Sequence, residues 1–324
     1  MTGLSDSFQR PINYLRVSVT DRCNLRCFYC MPKDGVHLLP KEDFLTYEEL
    51  TRVVEVAVGL GITKVRITGG EPLIRAGILE LVGRLGRIEG LEDLALTTNG
   101  VLLAQYAERL KRAGLKRVNV SLDSLRPERF QQITGGQVLG TVLEGIEQAK
   151  RVGLEPVKIN TVVIPGVNDD ELVDFALKTR EGWHGRFIEL MPFGQARDLP
   201  SLSVAEMVSR IEAGLGPLLP ATNHGGGPAK YFRLAGASGT IGFISPVSQH
   251  FCFSCNRLRL TATGKLRLCL LQEAEVDLRG PLRRGASQDE LRALLQEAVA
   301  RKPLKHSLQE GCVPPEKAMT GLGG

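Results

Sequence analysis

The chain has 324 residues, 43% hydrophobic and 24% charged, with a formal net charge of +5. That is enough apolar material for one large α/β domain or two smaller ones. Its apolar runs break well short of the roughly 20 residues that cross a membrane, residues 1–10 carry no apolar signal segment, and no Lys/Arg block is long enough for a nucleic-acid arm. A cytoplasmic protein with no membrane and no nucleic-acid partner is expected.

From residue 14 onward, short β-type runs alternate with helical patterns. A strand at 14–19 precedes a helix at 46–59 that opens on a Thr46/Glu49 capping box. Strands at 64–68, 93–98, 117–123 and 156–163 precede helices at 77–87, 102–113, 139–152 and 169–179, and a strand at 185–191 ends the series. Such alternation implies a parallel sheet with right-handed crossovers. Six units are fewer than the eight of a closed barrel, and the strand ends are rich in glycine and polar residues. The expected fold is therefore α/β, a partial (β/α)6 barrel over residues 1–230. Residues 231–324 form a C-terminal extension. After about residue 195 the rhythm changes to a helix at 201–216, a Gly-rich loop at 223–230, short strands in KYFRL, GTIGFIS, RLRLT and KLRLC, and a last helix at 288–300.

The stretch CNLRCFYC sets Cys23, Cys27 and Cys30 in a C-x3-C-x2-C pattern. Without a secretion signal, clustered thiols point to metal or redox chemistry rather than disulfides. Three such thiolates can ligate three irons of a [4Fe–4S] cubane and leave the fourth open, whereas zinc wants four tetrahedral ligands. Cys252, Cys255 and Cys269 form a second trio, for which a Cys3His zinc site with His250 is a rival; Cys312 stands alone. In TGGEP (68–72), Gly69 and Gly70 suit a strand-to-helix turn or a close backbone approach to a ligand. No Walker A loop exists. Arg66 and Lys158 fall within strands, where an inward cation needs an anion; Arg16 lies on the first strand, and Thr97 adds a hydroxyl near a strand end. Arg257 and Arg259 share one strand face, and guanidinium groups suit phosphate oxygens.

The first cysteine motif, with Tyr29 before its last cysteine, resembles the signature of the radical S-adenosylmethionine (SAM) enzymes, and the GGEP loop is similar to their SAM-binding loop. The ordered set LRVSVTDRCNLRCFYC, RITGGEPL, TTNG, VSLDSL, VKINTVVIPGVNDDE, ELMP, CNRLRLTATGKLRLCL and the terminal Gly323–Gly324 closely resembles the GTP 3′,8-cyclase family of molybdenum cofactor biosynthesis. The segment from Met191 to Ala205 follows that pattern only loosely.

The resemblance implies two [4Fe–4S] clusters, one on Cys23, Cys27 and Cys30 and one on Cys252, Cys255 and Cys269. It implies SAM against Tyr29, Gly70, Ser121 and Met191, and GTP against Arg16, Arg66, Thr97, Lys158, Arg257, Leu258 and Arg259. A 5′-deoxyadenosyl radical would take hydrogen from ribose carbon 3′, and ring closure on guanine carbon 8 would give 3′,8-cyclo-7,8-dihydro-GTP. Arg16, Arg257, Arg259, Gly323 and Gly324 are implied in catalysis. Implied partners are a reductant such as flavodoxin or ferredoxin, a downstream pyranopterin monophosphate synthase and a second copy in a homodimer. The rival readings are a peptide-modifying radical SAM enzyme with an auxiliary cluster and a zinc-stabilised, non-enzymatic binding module near His250. Asn99 and Asp123 stand near strand ends without an assigned role.

Overall fold

The computed structural model describes residues 3–31, 38–192, 196–222 and 227–306. Cys312, Gly323 and Gly324 lie outside the described residues. Strands β1 (Tyr14–Ser18), β2 (Lys64–Thr68), β3 (Asp93–Thr98), β4 (Arg117–Ser121), β5 (Lys158–Val163) and β6 (His184–Glu189) alternate with helices. These are α1 (Tyr47–Gly59), α2 (Ile78–Leu85), α3 (Leu103–Arg112), α4 (Pro127–Thr134), α5 (Leu139–Arg151) and α6 (Leu172–Leu177). Beyond them come α7 (Val204–Leu215), β7 (Leu219–Ala221), β8 (Lys230–Arg233), β9 (Thr240–Ile244), β10 (Arg257–Leu260), β11 (Lys265–Arg267), β12 (Glu275–Asp277), α8 (Arg279–Arg283) and α9 (Gln288–Ala300).

The Thr46/Glu49 box caps α1 reciprocally, and Ser203/Glu206 and Ser287/Glu290 do the same for α7 and α9. The helix expected over 169–179 instead begins as a 3-10 turn, Asp169–Glu171. There the Asp169 carboxylate accepts from Gly166 N and the buried Glu171 carboxylate from Ser124 Oγ and Leu125 N, so both side chains tie this turn to loops outside the helix. The short α4, entered through Pro127, was not expected.

One 12-stranded sheet runs in the order β12-β11-β10-β1-β2-β3-β4-β5-β6-β9-β8-β7. Every pair from β10 through β1 to β6 and β9 is parallel, and the strands beyond are antiparallel. The expected partial barrel is borne out as an open α/β array. The chain after residue 230 adds one parallel strand to each side of it, so strands from both sides of that boundary belong to one sheet.

Apolar residues pack one face against the helices: Leu15 and Val17 of β1, Val65 and Ile67 of β2, and Val118 and Val120 of β4 sit in a single core with Leu50, Val53 and Val54 of α1. Strands alternate their side chains, so Arg16, Arg66, Arg117 and Asn119 take the opposite face. A parallel sheet is ordinarily apolar on both faces. The buried polar face here marks the site.

Candidate active site

A cavity of about 340 Å³ is lined from Arg16 of β1 and Arg257 of β10 around to Arg186 of β6 and Ile244 of β9, so the inner face of the sheet curves about it. Both cysteine trios open onto it.

The first trio follows β1. The loop after β2 lies against it: Gly70 N donates to Thr20 O and Glu71 N to Arg22 O, each at 2.8 Å. A Cβ on Gly70 would stand 2.1 Å from Arg22 O, and one on Gly69, at φ +140°, 2.5 Å from Thr20 O. The two glycines are thus required by the approach of two backbones, which fixes the chain immediately before Cys23. Gly70 also lines the cavity. Glu71 is fully buried and accepts from Leu73 N, Thr98 Oγ1 and Asn99 N, while burial lifts its carboxyl to about 7. Asn99 in turn donates to Asn24 Oδ1 at 2.7 Å and to Cys23 Sγ at 3.8 Å.

Tyr29 Oη donates to Asp123 Oδ2 at 2.7 Å, and Val162 N donates to Asp123 Oδ1. Burial outweighs these bonds and lifts the Asp123 carboxyl to about 6. Ser121 and Met191 also line the cavity, and Met191 packs against Leu271, as Cys269 does. The Cys27 thiol is pushed well up by burial, then by Asp123, Cys30 and Cys23, which places the three sulfurs within electrostatic reach of one another. Among the described residues no three Cys, His, Asp or Glu side chains converge as a single-ion site. A cubane takes one thiolate per iron, so neighbouring thiols that do not meet at a point fit it.

Between the trios lies a layer of cations. Arg16 pairs in register with Arg66 on one side and Arg259 on the other, like charges side by side, an arrangement that is destabilising without an anion. Burial lowers Arg66 and Arg259 to about 10, and Arg16 well below its ordinary value. Lys158, 2% exposed, falls to about 6, first through burial and then through Arg186, Arg117 and Arg66; its Nζ donates to Tyr231 Oη at 3.3 Å. Asp123 is the only carboxylate among the described lining residues.

Arg117, Arg186 and Tyr231 share this wall and were missed in the sequence. Arg117 uses Nε and Nη2 on the Asp93 carboxylate, leaving Nη1 buried without a partner; Arg66 Nε and Arg186 Nε and Nη2 are buried donors in the same condition. The inward-cation argument used for Arg66 and Lys158 would have found both arginines, because each lies in phase with inward neighbours on its strand. Of the expected nucleotide residues, Arg16, Arg66, Thr97, Lys158, Arg257 and Arg259 line the cavity. Leu258 does not: the residue is 1% exposed within the apolar core, because its side chain alternates with its inward neighbours Arg257 and Arg259.

The second trio is framed by a turn, Cys252–Ser254, before β10 and by the chain leaving β11. Arg10 ties this turn down. Its guanidinium pairs with the buried Asp6 at 2.6 Å and donates to Cys252 O, Pro303 O and Leu304 O. His306 Nε2 lies 3.1 Å from Pro246 O, and its ring meets His250 edge-on at 5.4 Å. Burial raises the Cys252 thiol, whereas Arg257 and Lys302 overcome burial at Cys255 and bring it to about 7.

Comparison with known proteins bears on this arrangement. Residues 17–178 match the Radical SAM superfamily and residues 183–308 match Molybdenum Cofactor Synthesis C. The chain is 52% identical over 326 residues to the GTP 3′,8-cyclase of Pelotomaculum thermopropionicum, covering 99% of this chain and all of that one. It is 50% identical over 325 residues to that of Thermodesulfovibrio yellowstonii, with the same coverage. Among solved structures, Streptococcus suis SuiB bound to S-adenosylmethionine aligns with TM-score 0.57 at 14% identity, over 83% of this chain and 63% of that chain, so this chain spans less than two thirds of SuiB. Native anSMEcpe with bound AdoMet aligns with TM-score 0.59 at 14% identity, over 93% and 82%. These two likenesses show the fold alone.

Proposed function

Because the chain belongs to the radical SAM superfamily and, within it, to the GTP 3′,8-cyclase family, we propose how its one cavity divides the work of that reaction. The protein is an enzyme of molybdenum cofactor biosynthesis that converts GTP to 3′,8-cyclo-7,8-dihydro-GTP by radical SAM chemistry. The observation that carries the assignment of parts is a layer of buried cations lying between two cysteine trios that open on one cavity.

Cys23, Cys27 and Cys30 hold a [4Fe–4S] cluster, with SAM beside Tyr29, Gly70, Ser121 and Met191. When bound, the reduced cluster supplies the electron that cleaves SAM to the radical that starts the reaction. Asp123 fixes Tyr29 through its hydroxyl, and the glycine loop fixes the approach to Cys23. Cys252, Cys255 and Cys269 hold a second [4Fe–4S] cluster, with guanine beside it. The triphosphate lies against Arg16, Arg66, Lys158, Arg257 and Arg259, supplemented by Arg117 and Arg186, each of which has at least one buried donor without an acceptor. Thr97 adds its hydroxyl and Leu258 its backbone. An anion here answers both the mutual repulsion of the cations and the unsatisfied donors. The protein's contribution to the chemistry is positioning and the exclusion of water. Gly323 and Gly324 act as a catalytic tail.

Residues 1–230 are then the radical-generating part and residues 231–324 the part that carries the second cluster and the tail, a division of function within one sheet. A flavodoxin or ferredoxin reductant, a downstream pyranopterin monophosphate synthase, a homodimer and a cytoplasmic setting complete the proposal, supported by family membership. No described helix is long and apolar enough to cross a membrane.

The test is anaerobic reconstitution. About eight irons per chain are expected, falling to about four when Cys252, Cys255 and Cys269 are replaced by alanine. With reductant and SAM, 5′-deoxyadenosine should form only when GTP is present, together with a GTP isomer of unchanged mass. Bound zinc without sulfide would remove the clusters, and undiminished GTP affinity in R257A/R259A would remove the nucleotide site.

A further inference from the structure

Lys302 is a buried cation at the second trio to which the reading above gives no role. It follows α9 on a segment bound to the rest of the fold at several points: Ser7 Oγ donates to Ala300 O, Arg10 donates to Pro303 O and Leu304 O, and Gln272 Nε2 donates to Lys305 O. Its side chain runs inward, and the residue is 3% exposed. Nζ donates to Arg257 O at 3.0 Å and to Leu268 O at 2.5 Å. The first acceptor stands two residues after Cys255 and the second immediately before Cys269, so the ammonium is held between two arms of the trio.

An ammonium taken from water into a protein interior is costly unless negative charge meets it. Two carbonyl dipoles give direction but no net charge. The charge in reach is that of the Cys255 and Cys269 thiolates, which favour the charged form of Lys302, while burial and the nearby Arg10 and Arg257 oppose it. Lys302 lines the same cavity as the trio.

We propose that Lys302 is the resident counter-cation of the second cluster, a positioning residue whose fixed charge sets how readily that cluster accepts an electron. The proposal rests on the assignment of a [4Fe–4S] cluster to Cys252, Cys255 and Cys269. Reduction adds one negative charge to the cluster, and a cation held beside it favours that state. Removing the cation must therefore move the reduction midpoint to more negative potential. The two carbonyl contacts separate charge from hydrogen bonding: glutamine retains an N–H donor without charge, arginine retains both, and methionine neither.

The experiment uses the full chain with Cys23, Cys27 and Cys30 replaced by alanine, so that the second cluster alone is seen, and compares it with K302M, K302Q and K302R in that background. Iron and sulfide are counted, and the midpoint is read by paramagnetic resonance during a redox titration. Expected are about four irons per chain in the parent, a midpoint shifted negative in both K302M and K302Q, and a midpoint near the parent's in K302R. An unmoved K302M midpoint overturns the proposal. So does a K302Q midpoint that stays with the parent while K302M moves, since that pattern belongs to hydrogen bonding. If both neutral variants lose the cluster, its retention in K302R supports the proposal and its loss there refutes it. A parent without iron and sulfide removes the cluster assignment itself, and the proposal with it.

Discussion

Lys158 should charge as the nucleotide binds. Without nucleotide its ammonium is held to about 6 by burial and by Arg186, Arg117 and Arg66, so at pH 8 roughly one molecule in a hundred carries the proton. A triphosphate within a few ångströms reverses the balance of charge and lifts the group back above that pH. Binding at pH 7.5–8.5, where the triphosphate is already fully ionised, should take up about one proton, and the logarithm of affinity should fall by about one per pH unit. Calorimetry of GTP binding to cluster-loaded protein, in buffers of different ionisation enthalpy, counts that proton. K158M should abolish the uptake, and K158R should bind GTP with little pH dependence over this range. An uptake near zero in the natural chain, or one that survives in K158M, would show that Lys158 is already charged in the empty site.

Three further outcomes follow from the packing. In Gly70→Ala the new Cβ must move from 2.1 Å to at least 3.0 Å from Arg22 O, a displacement of about 0.9 Å carried straight to Cys23; iron analysis should show selective loss of the first cluster while the second remains. Arg10→Ala strands the buried Asp6 carboxylate and three carbonyl acceptors, and should cost roughly 3–5 kcal/mol in denaturant unfolding, against a smaller loss in Arg10→Lys. Glu71, lifted by burial to about 7 in the folded chain, binds its proton more tightly there than when unfolded, so this group makes stability rise as pH falls from about 7 toward the ordinary carboxylate range. Glu71→Gln should remove that slope. It should also cost about 1–3 kcal/mol, because either Asn99 N, or Leu73 N together with Thr98 Oγ1, is left without an acceptor.

Much of the site was legible because its chemistry depends on residue type and local spacing. Three cysteines within eight residues are a ligand set before any folding occurs, and Gly69–Gly70 announce a tight turn or a close approach to a ligand, where the structure shows two backbones meeting. Arg66 and Lys158 could be singled out because a cation in an otherwise apolar strand is costly wherever the strand lies. Arg117 and Arg186 satisfied the same criterion and went unread, since neither stands in a motif. Leu258 is the opposite case: it sits inside a motif, but the two-residue period of β10 turns its side chain into the core.

By itself, then, the sequence determined the alternation of strands and helices, both cysteine trios and the fact that strand interiors hold cations. Those properties are local: period, cap and spacing act over a few residues. Only the tertiary structure decided that β9 and β10 join opposite sides of the sheet, because parallel pairing of distant segments depends on which edges are left open. That placement curves one sheet until Cys23 and Cys255, more than 200 residues apart, face a single cavity. It also sets Lys302 between Arg257 and Leu268, which no spacing in the chain foretells.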